Sequence, residues 1–277
     1  MAEPLTLMAV HAHPDDEASG GGILAAYADQ GIRIILVTCT NGEFGDAPGG
    51  IKPGADGHDT GMVAQIRLAE LRESVKILKV SELETLGYHD SGMEDWDFKN
   101  RPEAFCNIPL EEVAGRIGDL MERYRPQVLV TYDDRGLYQH PDHVHASRAA
   151  QAAATATGIP AKVYLSTMRS SNWRKLWEAL REAGEEIPDF PEDPERTRRA
   201  LESEERITTT IDIRATLERK WRALMAHSSQ TSESPFSKIT PEIAEDAFGH
   251  EYFIRVADTT GAPVPEDDLF AGLRNRA

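Results

Sequence analysis

Two short stretches of this chain concentrate side chains that bind metals and move protons. The first, His11-Ala12-His13-Pro14-Asp15-Asp16-Glu17, holds two imidazoles and three carboxylates. The second, from Tyr132 to His145, supplies Asp133, Asp134, Tyr138, His140, Asp142, His143 and His145. Imidazole nitrogen and carboxylate oxygen are good ligands for Zn2+, and a catalytic zinc takes three protein ligands and keeps one position open. His13 and Asp16 stand three residues apart on a turn stiffened by Pro14, so both can point at one ion. The second stretch could complete a His-Asp-His set and leave further imidazoles and carboxylates for acid and base work. The same donors also accommodate Fe2+ or Mn2+. Asp15 and Glu17 have a plainer reading as acids in a helix's first turn, where they complement its dipole. His145, taken alone, reads as a surface or capping residue. Gly20-Gly21-Gly22 does not match the dinucleotide fingerprint.

The elements around these stretches decide whether they can meet. LTLMAVH (5–11) is short and apolar and ends at the first cluster, so it reads as a buried strand. IRIILVT (32–38), LETLGY (83–88), QVLVTY (127–132) and KVYLST (162–167) read as further strands. Helical patterns occupy 18–30, 62–79, 110–124 and about 141–155. Such alternation predicts an α/β three-layer sandwich, a mostly parallel sheet with helices on both faces. Ligands of open parallel sheets bind outside the carboxyl ends of the strands, which is where both clusters fall. In the 62–79 helix the apolar stripe is Ala64, Leu68, Leu71, Val75 and Leu78. Arg67 lies about 40° from Leu71 on a helical wheel, beside that stripe, as a substrate contact or a structural ion pair would.

The remainder is less regular. Residues 39–61 carry seven glycines and two prolines and read as a long functional loop. Residues 173–205 read as a charged, solvated helical insertion with a Pro-and-acid loop at 188–194. ITTTIDI (207–213) and YFIRV (252–256) read as strands, 214–227 as a helix, and the tail 258–277 as irregular and loosely held. One domain spans 1–277, with its core at about 5–170 and 206–257.

The formal net charge of −17 argues against binding a nucleic-acid backbone. Cys39 and Cys106 follow no metal-ligand spacing and read as small buried hydrophobes. The beginning Met-Ala-Glu-Pro lacks the pattern of a secretory signal, and no stretch reaches the roughly 20 apolar residues of a membrane span. The expectation is a cytoplasmic protein acting on a small molecule.

The motifs AHPDDE and HPDH resemble the LmbE-like (PIG-L) family of zinc N-deacetylases. The resemblance covers about residues 5–230 and extends to TCTNGEFG (38–45), GYHDSGM (87–93) and ERKWRALMAHSSQ (218–230). It implies a Rossmann-like fold, with His13, Asp16 and His143 as zinc ligands and Asp15 as general base. It implies that His140 is the proton donor or oxyanion partner, that Tyr138 helps polarise the carbonyl, and that Asp142 orients a histidine. Arg67 and Asp90 match positions that hold substrate hydroxyls. The motifs look nearest to the mycothiol-pathway branch, which implies deacetylation of an N-acetylglucosaminyl-inositol. The alternatives are an amidase for mycothiol S-conjugates and a hydratase or lyase on the same scaffold.

Overall fold

The computed structural model describes residues 4–182, 184–185, 194–232 and 238–274. Its seven-stranded sheet has the order β3-β2-β1-β4-β5-β7-β6. The first five strands are β1 (Thr6–His11), β2 (Arg33–Thr40), β3 (Glu82–Tyr88), β4 (Val128–Tyr132) and β5 (Lys162–Thr167). All their pairings are parallel. β6 (Thr209–Asp212) and β7 (His250–Asp258) join antiparallel, β7 lying between β5 and β6.

Alternating residues of the central strands feed two cores, as the two-residue period of a strand requires. Leu7, Ala9, Ile34, Leu36, Val128 and Val130 face one helical layer. It contains α2 (Gly21–Asp29), α3 (Thr60–Leu78), α7 (Ser170–Glu182), α9 (Leu217–Met225) and α11 (Pro241–Phe248). Met8, Val10, Ile35, Val37 and Leu129 face the other layer, α4 (Leu110–Tyr124) and α6 (Pro141–Thr157). The small residues Ala146, Ala149, Ala150 and Ala153 let α6 lie close against the sheet. Among the described residues no helix is long and apolar enough to cross a membrane.

Several expectations change in detail. The 18–30 helix is two, α1 (Asp16–Ser19) and α2, separated at Gly20. The inward face of α3 is shifted: Leu71, Val75 and Leu78 are buried as expected, but Val63, Arg67, Glu70 and Ser74 join them while Ala64 and Leu68 are only partly buried. The insertion is not only a solvated element, because Leu176 and Leu180 of α7 are fully buried and Trp173 stacks on Trp177 at 5.5 Å. α8 (Pro194–Glu205) follows it, and residues 188–193 of the expected loop lie outside the described residues. Cys39 is buried and Cys106 partly so, and both are free thiols.

Through residue 274 the tail is firmly packed rather than loosely held. Leu269 and Phe270 are fully buried, Phe270 meeting the Tyr27 ring edge-on at 5.2 Å. Glu266 N–H donates to Thr208 O (2.9 Å), and Glu266 O accepts from Thr210 N (3.0 Å), so the tail borders β6.

Candidate active site

β1 leads through β2 to one side of the sheet, while β4 lies on its other side. The crevice between them is the topological switch point, the usual ligand site of an open α/β sheet. The two clusters leave the carboxyl ends of β1 and β4, which hydrogen-bond to each other. The Tyr132 hydroxyl ties the loops together: it accepts from Ala12 N (2.6 Å) and donates to Asp16 Oδ2 (2.7 Å).

Five described non-glycine residues have positive φ: Asp15, Lys79, Arg125, Leu137 and Gln139. Lys79 and Arg125 are left-handed caps that end α3 and α4. The other three belong to the two site loops, and strained backbone concentrates where a site must hold an unusual shape. Leu137 and Gln139 lie in α5 (Gly136–Gln139), a single distorted turn. His140 then caps α6, its Nδ1 accepting from Asp142 N at 3.2 Å. Asp142 and His143 occupy the first turn of α6, fully buried.

His13, Asp16 and His143 form a triangle of side chains in which each imidazole meets a different oxygen of the carboxylate. His13 Nδ1 is 3.2 Å from His143 Nε2 and 3.3 Å from Asp16 Oδ2, and His143 Nε2 is 3.2 Å from Asp16 Oδ1. The outer ring nitrogens fix the tautomers. His143 Nδ1 lies 3.1 Å from the Gly136 carbonyl, which can only accept, so that nitrogen carries the hydrogen. His13 Nε2 lies 3.1 Å from Asp142 Oδ2, an arrangement that places its hydrogen there. With both imidazoles neutral, as metal ligands are, the inner nitrogens present lone pairs to one another and to a carboxylate. Such an approach is favourable only around a positive charge. Metal–nitrogen bonds of about 2.0–2.1 Å in tetrahedral geometry separate ligand atoms by about 3.3 Å. The residues thus fit a divalent metal ion.

The surroundings reinforce the demand for positive charge. Burial opposes charge on His13, yet Asp90, Asp142 and Asp16 push its imidazole well above the ordinary range. Burial lifts the Asp16 carboxyl, but His143 and His13 hold it well below its ordinary value. Asp142, expected to orient a histidine, is in contact with His13, and its carboxylate also accepts from Ser91 N (2.9 Å) and from the Ser91 hydroxyl.

His140 also belongs to this cluster, with a ring nitrogen within 4.8 Å of those of His13 and His143. Burial, His13 and His143 push its imidazole down to about 2. In the resting site His140 is neutral with its hydrogen on Nε2, which suits a hydrogen-bond donor to an oxyanion and does not suit a resident proton donor. Tyr138 is 55% exposed at the mouth, its ring 5.0 Å from that of His143. His145 packs edge-on against Phe105 at 4.9 Å and takes no part in the triangle.

The Asp15 side chain is 28% exposed, in a residue with φ 119° and ψ −24°. Burial lifts its carboxyl above the ordinary 3.8, Arg67 draws it down, and Asp16 lifts it again, leaving it raised. Of the two expectations for Arg67, the ion pair is the contact present. Arg67 Nη2 donates to Asp15 Oδ2 (2.8 Å) and Pro14 O (2.6 Å), and Nη1 donates to Gly42 O (2.6 Å). Gly42 has φ +65°, and a Cβ there would lie 2.5 Å from Arg67 Nη1, so the glycine admits the guanidinium. Asp90, expected to hold substrate hydroxyls, is buried 3.6 Å from His13 Nε2, and it accepts from Gly92 N (2.8 Å).

Asp90 also lines a neighbouring cleft of about 150 Å3 with Glu43, Phe44, His89, Phe98, Arg101 and Glu103. Glu43 is 6% exposed; its Oε1 meets His89 Nδ1 at 2.7 Å, and its Oε2 has no hydrogen-bond partner among the described residues. Sequence reasoning missed Glu43, Ser74, Ser91, Tyr132 and His227 as parts of the site and gave Glu17 the role of a helix-start acid. Ser91 and His227 do fall within DSGM and ERKWRALMAHSSQ, which was the signal available.

Comparison with known proteins agrees with this geometry. The family model described as PIG-L, GlcNAc-PI de-N-acetylase, matches residues 8–154. The chain is 38% identical to the 1D-myo-inositol 2-acetamido-2-deoxy-alpha-D-glucopyranoside deacetylase of Acidothermus cellulolyticus, over 97% of this chain and 95% of that protein. Identity to the protein of the same name from Geodermatophilus obscurus is 35%, over 96% and 97%. Among solved structures, N,N'-diacetylchitobiose deacetylase of Pyrococcus horikoshii superposes with a TM-score of 0.61 at 18% identity, over 91% of this chain and 83% of that one. The 4-carboxy-2-hydroxymuconate hydratase of Pseudomonas putida gives 0.60 at 18%, over 91% and 96%, so the fold alone does not select a reaction. Motifs, strand order and full-length relatives agree: the chain belongs to the PIG-L (LmbE-like) family.

Proposed function

We propose that this chain is a metal-dependent hydrolase of linear amide bonds that removes the N-acetyl group from an N-acetylglucosaminyl-inositol. The observation that carries the reading is the triangle of His13, Asp16 and His143 beside a lifted, partly exposed carboxyl on Asp15. The His and Asp donors suit Zn2+, and the same donors accept Fe2+ or Mn2+. The names of the full-length relatives supply the substrate.

Held by those three residues, zinc would polarise the amide carbonyl and make a water more acidic. The protein groups perform the proton transfers. Asp15 takes a proton from the attacking water, and its raised carboxyl makes it a better base than an exposed aspartate. Neutral His140 donates a hydrogen bond from Nε2 to the developing oxyanion, with Tyr138 at the mouth as a second donor. Asp15 then passes its proton to the amine nitrogen, which cannot leave as an anion. The C–N bond breaks, acetic acid and a free amine result, the acid losing its proton to water on release as acetate, and Asp15 is again ionised. Asp142 holds His13 in the tautomer that ligates the metal.

The cleft beside Asp90 suits a polyol. Its carboxylates accept hydroxyl hydrogens, while His89 and Arg101 can donate. The test is a substrate panel of N-acetylglucosaminyl-inositol, a mycothiol S-conjugate and an unsaturated hydroxy acid. Acetate and free amine should appear from the first at the highest kcat/KM. A bulkier acid from the conjugate as the main product would establish the amidase instead, and hydration with no amide cleaved would establish the hydratase.

A further inference from the structure

Glu17 is fully buried, and both of its oxygens are occupied. Oε1 meets His227 Nε2 at 2.6 Å and accepts from the Ser74 hydroxyl, and Oε2 accepts from Asp15 N–H at 3.0 Å. His227 is itself fully buried, and its carbonyl receives Gln230 N (2.9 Å) and Thr231 N (3.0 Å). It lies outside residues 8–154, the span the family model matches.

The N–H of Asp15 and the carbonyl of Pro14 belong to one peptide plane. Arg67 Nη2 holds the oxygen end at 2.6 Å, and Glu17 Oε2 holds the nitrogen end at 3.0 Å. A buried cation thus meets the negative end of the peptide dipole and a buried anion meets the positive end. That plane sets φ of Asp15, which stands at 119°, a conformation that persists only where its surroundings enforce it. We propose that Glu17, braced by His227 and Ser74, is a positioning residue that locks the Pro14–Asp15 peptide and so aims the Asp15 carboxyl at the reacting water. The inference rests on the proposed role of Asp15 as base.

The test compares Glu17→Gln, His227→Gln and Asp15→Asn in the full-length, metal-loaded protein. Gln keeps the size of Glu17 but cannot satisfy the Asp15, Ser74 and His227 donors together. Misplacing a catalytic group by about 1 Å costs roughly 100-fold, so kcat of Glu17→Gln should fall about that far. KM and bound metal should stay at wild-type values, the pattern of an interaction needed only in the transition state. His227→Gln should fall in the same direction and carries the test if Glu17→Gln does not fold. A double variant should lose little more than the worse single one, as members of one unit do. A folded, metal-loaded Glu17→Gln with wild-type kcat overturns the proposal, as does a loss that tracks loss of metal. Asp15→Asn separates the two levels. If it is inactive while Glu17→Gln is normal, only the positioning role fails; if it is fully active, the role of Asp15 fails too.

Discussion

Asp15→Asn is expected to lower kcat by about 100- to 10,000-fold, the usual worth of a positioned general acid–base group. Bound metal should be unchanged, because the triangle consists of His13, Asp16 and His143. Circular dichroism and elemental analysis on the same preparation check that the loss lies in chemistry. The pH profile gives the sign. Asp15 acts as a base only when ionised, so kcat/KM falls as pH drops through its titration, and that acid limb should be missing from the residual activity of Asp15→Asn. Arg67 lowers the Asp15 carboxyl against the lift from burial. Arg67→Met should therefore move the limb to higher pH. A limb that survives in Asp15→Asn, or moves to lower pH in Arg67→Met, contradicts the assignment.

The largest expected loss of stability comes from Glu266→Ala, far from the chemistry. The Glu266 side chain is 1% exposed, and four other residues depend on it. Its Oε1 receives Lys162 Nζ and Arg255 Nη1 (2.9 Å), and its Oε2 receives the Tyr164 hydroxyl (2.8 Å) and the Thr209 hydroxyl (3.2 Å). Lys162 is fully buried at the start of β5, and among the described residues its further acceptor is the Ala271 carbonyl (3.0 Å). Removing one partner of a buried pair leaves an uncompensated charge and costs about 3–5 kcal/mol. Urea unfolding should show that loss, and Glu266→Gln a smaller one, since its amide oxygen can still accept from Lys162 and Arg255. A Glu266→Ala protein as stable as wild type would mean that Lys162 finds water and that backbone bonds and apolar packing suffice to hold the tail.

The metal triangle was legible in the sequence because its residue types are unusual and stand directly after apolar runs. His13 and Asp16 share one turn, and the resemblance of HPDH to the family motif singled out His143 among the later histidines. The parallel half of the sheet was legible for the same reason, since each strand there is a short apolar run between helices. The supports of the site were not. Glu17, Ser74 and His227 are polar groups that neutralise one another across 57 and 210 residues of sequence, and each alone resembles a solvated residue. On α3 this moved the buried face, because Arg67, Glu70 and Ser74 point inward among Val63, Leu71 and Val75. The tail misled for a related reason. Leu269 and Phe270 are surrounded by acids, arginines and prolines and show no periodicity, while the anchor, Glu266, finds its buried cation 104 residues away. Tyr138 and His140 were legible as residues, but their states depend on burial: one stands exposed at the mouth and the other is neutral.

The most direct test of the central claim is amine release from N-acetylglucosaminyl-inositol before and after chelation, with metal content measured on the same sample. The purified protein should carry about one divalent ion per chain, as one three-ligand site requires. Chelation should abolish amine release, and added Zn2+ should restore it. Amide cleavage that persists in the metal-free protein, or a folded protein that takes up no divalent ion, would contradict the account.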